Sequence, residues 1–490
     1  MIRRGLITVA ATAGIAAAAS GCGGSSAKSP LDDALGYLPK TTPVAIAVKT
    51  DLKDPQYHSL DTLLKRFPFY TLIKQRLAAG FTIGGTKTSF AEVKKLLGND
   101  LVIGFPHAAS GSSLSSATVV AWKTKDGTKA ATLVGRTGRK VGSENGATLY
   151  EEANGNVDAI KGDVLVSAKS RPLVDAALKQ RGSSDRLRED TFKSALSGLP
   201  SDAIVRVYGD FQRLLSSGRA AAAKRVPWVG ALRTFGSTVT SASDGLVIDF
   251  RAKTQGSLSS AQLPLAAGST APKIVRRPHE VAVALRDPGQ TVRFAEQAFL
   301  AAVPQGALGK AAIERALGIN FDRDLIAPLG AGAAASVSLT GNVVARVDLK
   351  DPAAFKKTLS TLSRNLPKAS NFVNGLTLQP GPNGLYQLKP RGAHRPEFVG
   401  VSGKELVIGT DPGQAIKFGS ERATTATGAN GALAFALDPR SILGDIIKRR
   451  GGQAGALFGG AFVAPLRDLT GYASADTSGI SSHLKLTIAR

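Results

Sequence analysis

Chemistry in this chain would have to start from few residues. The five histidines are His58, His107, His279, His394 and His483, and no two have the i, i+4 spacing that turns a pair toward one metal ion. The single cysteine, Cys22, excludes an intramolecular disulfide, a thiolate cluster and a CxxC redox pair. No G-x-S-x-G elbow occurs. Two S-x-x-K strings stand at 25–28 and 482–485. The first lies in a Gly/Ser stretch with no walls to build a site. The second lies in an alternating run, where positions three apart face opposite sides of a strand. Gly306-Ala307-Leu308-Gly309-Lys310 approaches a phosphate loop, but Pro304 and Ala311 stand where that loop needs Gly and Ser or Thr. It reads as a loop entering a helix over 311–317.

Carboxylate pairs occur at Asp32/Asp33, Glu151/Glu152, Glu189/Asp190 and Asp322/Asp324. Acid–base work needs two carboxylates converging in one cleft with different environments, and adjacent acids read instead as solvated turns. Asn154, Asn156 and Asp158 have the alternate spacing of a calcium loop, yet its closing bidentate Glu is missing, so a hairpin turn explains them. No catalytic residue, metal site or cofactor is expected, and the chain reads as a non-enzyme.

Cys22 is placed for different chemistry. Arg3 and Arg4 precede an uncharged run over 6–19, which as a helix spans about 21 Å, against about 30 Å for a bilayer core. Basic start, short apolar middle and small-residue end have the anatomy of a signal peptide over 1–21. Ala19-Ser20-Gly21-Cys22 resembles the lipobox of bacterial lipoproteins, with Ala19 where Leu is commoner. The resemblance implies a diacylglycerol on the Cys22 thiol and cleavage before it. Residues 22–36, opening Gly23-Gly24-Ser25-Ser26, then read as a flexible tether, and the protein as lipid-anchored on the extracytoplasmic face of a membrane. The Arg pair leaves open whether export is general or twin-arginine.

The elements repeat. Pro43-Val44-Ala45-Ile46-Ala47-Val48 leading to Asp51 matches Glu280-Val281-Ala282-Val283-Ala284-Leu285 leading to Asp287. Helical segments over 60–79 and 290–318 follow, then Leu97-Gly98 and Leu329-Gly330 before strands. Val119-Val120-Ala121 and Val343-Val344-Ala345 each precede a Lys-Asp pair, and Asp351-Pro352 is a good helix start. The strand 164–167 matches 406–409, and 203–207 matches 432–436, each of the latter leading to an aspartate before a helix, Asp210 and Asp438. Closing strands lie at 245–252 and 482–489, and Asn154-Gly155 marks a hairpin. The pattern predicts an α+β fold: two tandem, internally duplicated domains, 37–254 and 279–490, with largely antiparallel sheets, flanking helices and a linker over 255–278.

The Leu38-Pro39…Thr42-Pro43 entry to a strand, the Leu-Gly step, the strand-then-helix over 163–178 and Leu199-Pro200-Ser201-Asp202-Ala203 resemble a bacterial envelope family, domain of unknown function 3352. Arg277-Pro278-His279 departs from the Leu-Pro step in the second half. The resemblance implies an exported, membrane-linked protein and brings no activity or site residue.

The net charge of +25 spreads evenly over both halves, and losing Arg3 and Arg4 with residues 1–21 leaves +23. An even field favours anionic surfaces without the concentrated groove that nucleic acid needs, so no nucleic acid is expected. Both helices after Asp210 and Asp438 are read as ending in basic residues, Lys224-Arg225 and Lys448-Arg449-Arg450, with apolar stretches behind them. Charge at a helix C-terminus complements the dipole. The same residues are also candidate contacts for anionic lipid or wall polymer. Three roles stay open: a module binding an amphiphile or envelope polymer, an assembly lipoprotein docking a protein, and a hydrolase with a scattered site.

Overall fold

A computed structural model describes residues 29–79, 81–83, 86–106, 117–216, 218–268, 270–302, 306–369, 375–389, 395–426 and 431–489. The residues read as a signal peptide, Cys22 and the glycine stretch behind it lie outside the described residues, as do His107 and His394. The fold is α+β, with largely antiparallel sheets. It divides into two compact units: one runs through Ala221 and adds Arg233–Lys253 and the residues from Thr487, while the other comprises Ala222–Leu232 and Thr254–Leu486.

In the first unit the strands are β1 Val44–Val48, β2 Leu101–Phe105, β3 Val119–Lys123, β4 Gly138–Glu144, β5 Ala147–Glu152, β6 Val157–Lys161, β7 Val164–Ala168, β8 Val205–Asp210, β9 Leu232–Ala242 and β10 Gly245–Thr254. Pairing runs β9-β8-β1-β2-β3-β7-β6-β5-β4, antiparallel at each step. Alternation decides the faces: Ala45, Ala47, Val102, Ala121 and Val166 point to a core closed by Val174, Ala177 and Leu178 of the helix Arg171–Gln180 and by Phe192.

The second unit has β11 Glu280–Arg286, β12 Leu329–Ser338, β13 Val343–Leu349, β14 Thr377–Pro380, β15 Tyr386–Lys389, β16 Glu397–Ser402, β17 Glu405–Gly409, β18 Leu433–Leu437, β19 Leu466–Asp476 and β20 Gly479–Ile488. Its pairing, β19-β18-β11-β12-β13-β17-β16-β15-β14, is again antiparallel and reproduces the first order strand for strand. The helix starts correspond too. Asp126 and Asp351 cap the helices after β3 and β13, accepting from the backbone N–H of Lys129 and Ala354. Asp210 and Asp438 cap the helices after β8 and β18.

The Leu-Gly steps have steric reasons. Gly98 holds φ at +142°, and a Cβ there would meet the Lys125 side chain. A Cβ on Gly330 would lie 2.8 Å from the Asp348 carbonyl oxygen of β13.

Several boundaries differ from the sequence reading. The tether expected over 22–36 gives way to the helix Pro30–Leu35, capped by Ser29, whose Leu31, Ala34 and Leu35 belong to the first core. Those residues are apolar at helical spacing, and Arg186–Asp32 (2.9 Å) and Arg181–Asp33 (2.6 Å) fasten the helix, so Asp32/Asp33 is no solvated turn. The linker expected over 255–278 is packed into the second unit: Leu263, Ile274 and Val275 are buried, and Lys273–Ile274 pairs with Thr424–Thr425. The loop expected at 306–310 is the first turn of the helix Gly306–Leu317. Lys448, Arg449 and Arg450 do not end a helix, because Pro439–Val463 continues past them through Gly451-Gly452; the dipole therefore gives no reason for them.

Candidate functional site

Two places gather polar or exposed groups that packing alone does not require. The first is a helical surface of the second unit. Pro288–Ala302 and Gly306–Leu317 form a helical hairpin. Its start is fixed by Gln290, whose Nε2 donates to the carbonyls of Ser260 (2.9 Å) and Leu263 (2.8 Å). Its end is fixed by Leu317, buried in a cluster with Phe355 and Leu359.

Between these anchors the charges sort themselves. Lys310 Nζ lies 2.6 Å from Glu296, 2.9 Å from Asp322 and 3.8 Å from Glu314, joining the two helices. Its ammonium is held well above the ordinary lysine range, chiefly by the hydrogen bond to Glu296. Glu314 also accepts from the Phe321 N–H at 2.8 Å. Both acids of the hairpin are thus turned onto Lys310, and its exposed charges are Arg293 and Arg315.

The apolar residues sort the other way. Val292 is 44% exposed, Phe299 60% and Leu308 72%. Val292 and Phe299 stand two turns apart on one face, and Leu308, Ala311 and Arg315 share a face of the second helix. Each such side chain left in water forgoes about 1.5–3 kcal/mol of burial.

Two predicted contacts belong here. Lys224 and Arg225 follow the helix Gly218–Ala223, with Arg225 exposed. Val226 is buried next, and Trp228 of Pro227–Ala231 meets Phe294 of the hairpin edge to face at 6.2 Å. Phe294 stands about 200° around the helix from Val292, so this contact ties the segment to the hairpin without placing Lys224 and Arg225 beside Val292 or Phe299. The side chains of Lys448, Arg449 and Arg450 lie outside the described residues.

The second place is a buried carboxylate pair in the first unit. Glu152 ends β5 and Asp158 lies in β6, and they are 6% and 5% exposed. Asn154 Nδ2 donates to Glu152 Oε2 at 2.9 Å and Asn156 Nδ2 at 3.4 Å. Burial, with the Glu152 charge adding to it, pushes the Asp158 carboxyl up to about 7, while a Ser167 hydrogen bond opposes the rise. Asp158 can keep its proton near neutral pH. Beside it an open depression of about 360 Å³ is lined by Thr137, Arg139, Glu151, Glu152 and Ala153. Arg139 pairs with Glu151 at 3.5 Å on the rim.

The hairpin at Asn154-Gly155 forms as the sequence predicts, with Gly155 at φ +83°. The solvated reading of Glu151/Glu152 holds for Glu151 alone. Ala147 and Leu149 point inward, so alternation would bury Glu151, but Glu151 is exposed and Glu152 is buried.

The remaining described histidines are dispersed. His58 is exposed, His279 pairs with Asp445 at 3.0 Å, and His483 stacks on Tyr472 at 5.1 Å. Among the described residues no cluster of three or more His, Cys, Asp or Glu could hold a metal ion, and no helix is long and apolar enough to cross a membrane.

No family model and no curated protein matches the chain, so the likeness to the 3352 family rests on the motifs quoted above. Among solved structures, crystal forms III and I of TP0453 are similar at 10% and 12% identity. They cover 46% and 52% of this chain and 81% and 90% of their own. Their TM-scores are 0.27 each, too low to carry an argument.

Proposed function

We propose that this protein is a lipid-anchored extracytoplasmic module, without catalysis of its own, that binds an anionic amphiphile or envelope polymer. One observation supports the binding role most: the hairpin Pro288–Leu317 keeps its acids paired to Lys310 and presents Arg293 and Arg315 among exposed Val292, Phe299 and Leu308. A surface that is cationic and apolar together suits a ligand that is anionic and apolar together. The net charge of +23 left after residues 1–21 are lost strengthens the attraction, and Cys22 in its lipobox-like setting supports the anchor.

The matching strand order supports a further part of this reading: the two units descend from one duplicated module. A second role, docking a protein partner, is favoured by the same exposed apolar side chains.

Native mass spectrometry of residues 23–490, exported without the anchor and purified gently from a bacterial envelope, tests the carrier role. The expected result is an added mass that unfolding releases. A bare chain mass would overturn it. The anchored chain should carry the mass of a diacylglycerol that Cys22→Ala removes.

A further inference from the structure

The hairpin resembles what an interfacial membrane contact requires, and the requirement is specific. Apolar side chains must stand free of the core, the adjacent charges must be cationic, and acids must be neutralised. Val292, Phe299 and Leu308 meet the first condition. Arg293 and Arg315 on the same two helices meet the second. Lys310, bridging Glu296, Glu314 and Asp322, meets the third.

We infer that the hairpin Pro288–Leu317 is a membrane contact: Val292, Phe299 and Leu308 enter the headgroup–acyl boundary of an anionic bilayer, and Arg293 and Arg315 meet its phosphates. This rests on the reading of an anionic, apolar ligand and names the bilayer surface as that ligand. The charge pattern selects lipid over protein as occupant. A bilayer offers phosphate anions all around an inserted side chain, so cations can flank the apolar residues on any side. A lipid on Cys22 would raise the local concentration of bilayer around the hairpin, so that a weak second contact would suffice to orient the protein.

The test uses the mature chain carrying Cys22→Ala, so that no lipid anchors it. Flotation with vesicles of phosphatidylcholine and phosphatidylglycerol in equal parts is compared with phosphatidylcholine alone, at low and high salt. Binding is expected to the anionic vesicles, to weaken with salt, and to fall about tenfold or more in the double variant Phe299→Asp, Leu308→Asp. Arg293→Glu with Arg315→Glu should lose the preference for anionic vesicles. Because Cys22→Ala leaves no other thiol, Leu308→Cys can carry an environment-sensitive dye. Its emission should shift to the blue on vesicles, while a dye at the exposed Thr132→Cys of the first unit should not respond. Unchanged urea midpoints show that the surface variants fold. No flotation, flotation indifferent to the aspartates, or a silent dye at 308 overturns the inference. Saturable capture of a purified envelope protein by this face, without vesicle binding, does the same in favour of protein docking. Should vesicles fail while the mass spectrum shows a retained amphiphile, the bilayer contact falls and the binding role stands. Should vesicles bind a chain of bare mass, the contact stands and the carrier role falls.

Discussion

At the scale of single residues, the Glu152–Asp158 pair has a consequence that pH can reach. An aspartate whose folded pKa lies above its ordinary value binds its proton more tightly folded than unfolded. Its contribution is therefore complete below about 4 and is lost as pH rises through about 7. Glu152 is the anion that faces it, and Arg139 on the rim is engaged with Glu151. Asp158→Asn keeps a donor for Glu152 and an acceptor for Ser167 while removing the titration. Urea unfolding of the parent should therefore lose stability between about pH 4 and 7 relative to Asp158→Asn. The variant should be the more stable at pH 8 by about 1–3 kcal/mol. Parallel pH profiles would refute the raised Asp158. The sequence showed these acids and the turn between them, but not which would be buried. Alternation assigns the inward place to Glu151, whereas the turn's Asn154 and Asn156 donate to Glu152, a contact that no periodicity announces.

Elements were more legible where a local rule decides them. Asp351-Pro352 announced a helix because an aspartate can accept the unpaired N–H groups of the first turn and proline lacks the one that would be wasted. Asp351→Ala should cost about 1 kcal/mol, read as a lowered urea midpoint, and Asp351→Ser should restore most of it. Equal losses for Ala and Ser would show that the cap contributes nothing. Helix ends without such a rule were misread. Lys448-Arg449-Arg450 followed by two glycines has the composition of a helix end, yet the helix runs on to Val463. The hairpin Pro288–Leu317 was legible as helical, but not as exposed. Apolar residues at helical spacing read as a core face, and only the three-dimensional environment shows that Val292, Phe299 and Leu308 are exposed.

At the scale of the whole molecule, the repeated motifs anticipated a repeated strand order, because each marked a strand entry or a helix start and these recur in the same sequence in both units. What no local motif could reveal is that chain order and unit membership differ. Residues 222–232 precede the Gly/Ser/Pro-rich stretch that looked like the boundary, yet they belong to the second unit, where Trp228 meets Phe294 and Val226 is buried. Membership of this kind is set by long-range packing of one aromatic residue on another, which carries no periodic signature. It can be tested in the intact chain. Trp228→Ala removes a half-buried ring and should cost about 2 kcal/mol. If the segment belongs to the second unit, native-state amide exchange should quicken in the helix Pro288–Ala302 and in β11–β13, with β1–β3 unchanged. Faster exchange in β1–β3, or none in the hairpin, would place the segment with the first unit.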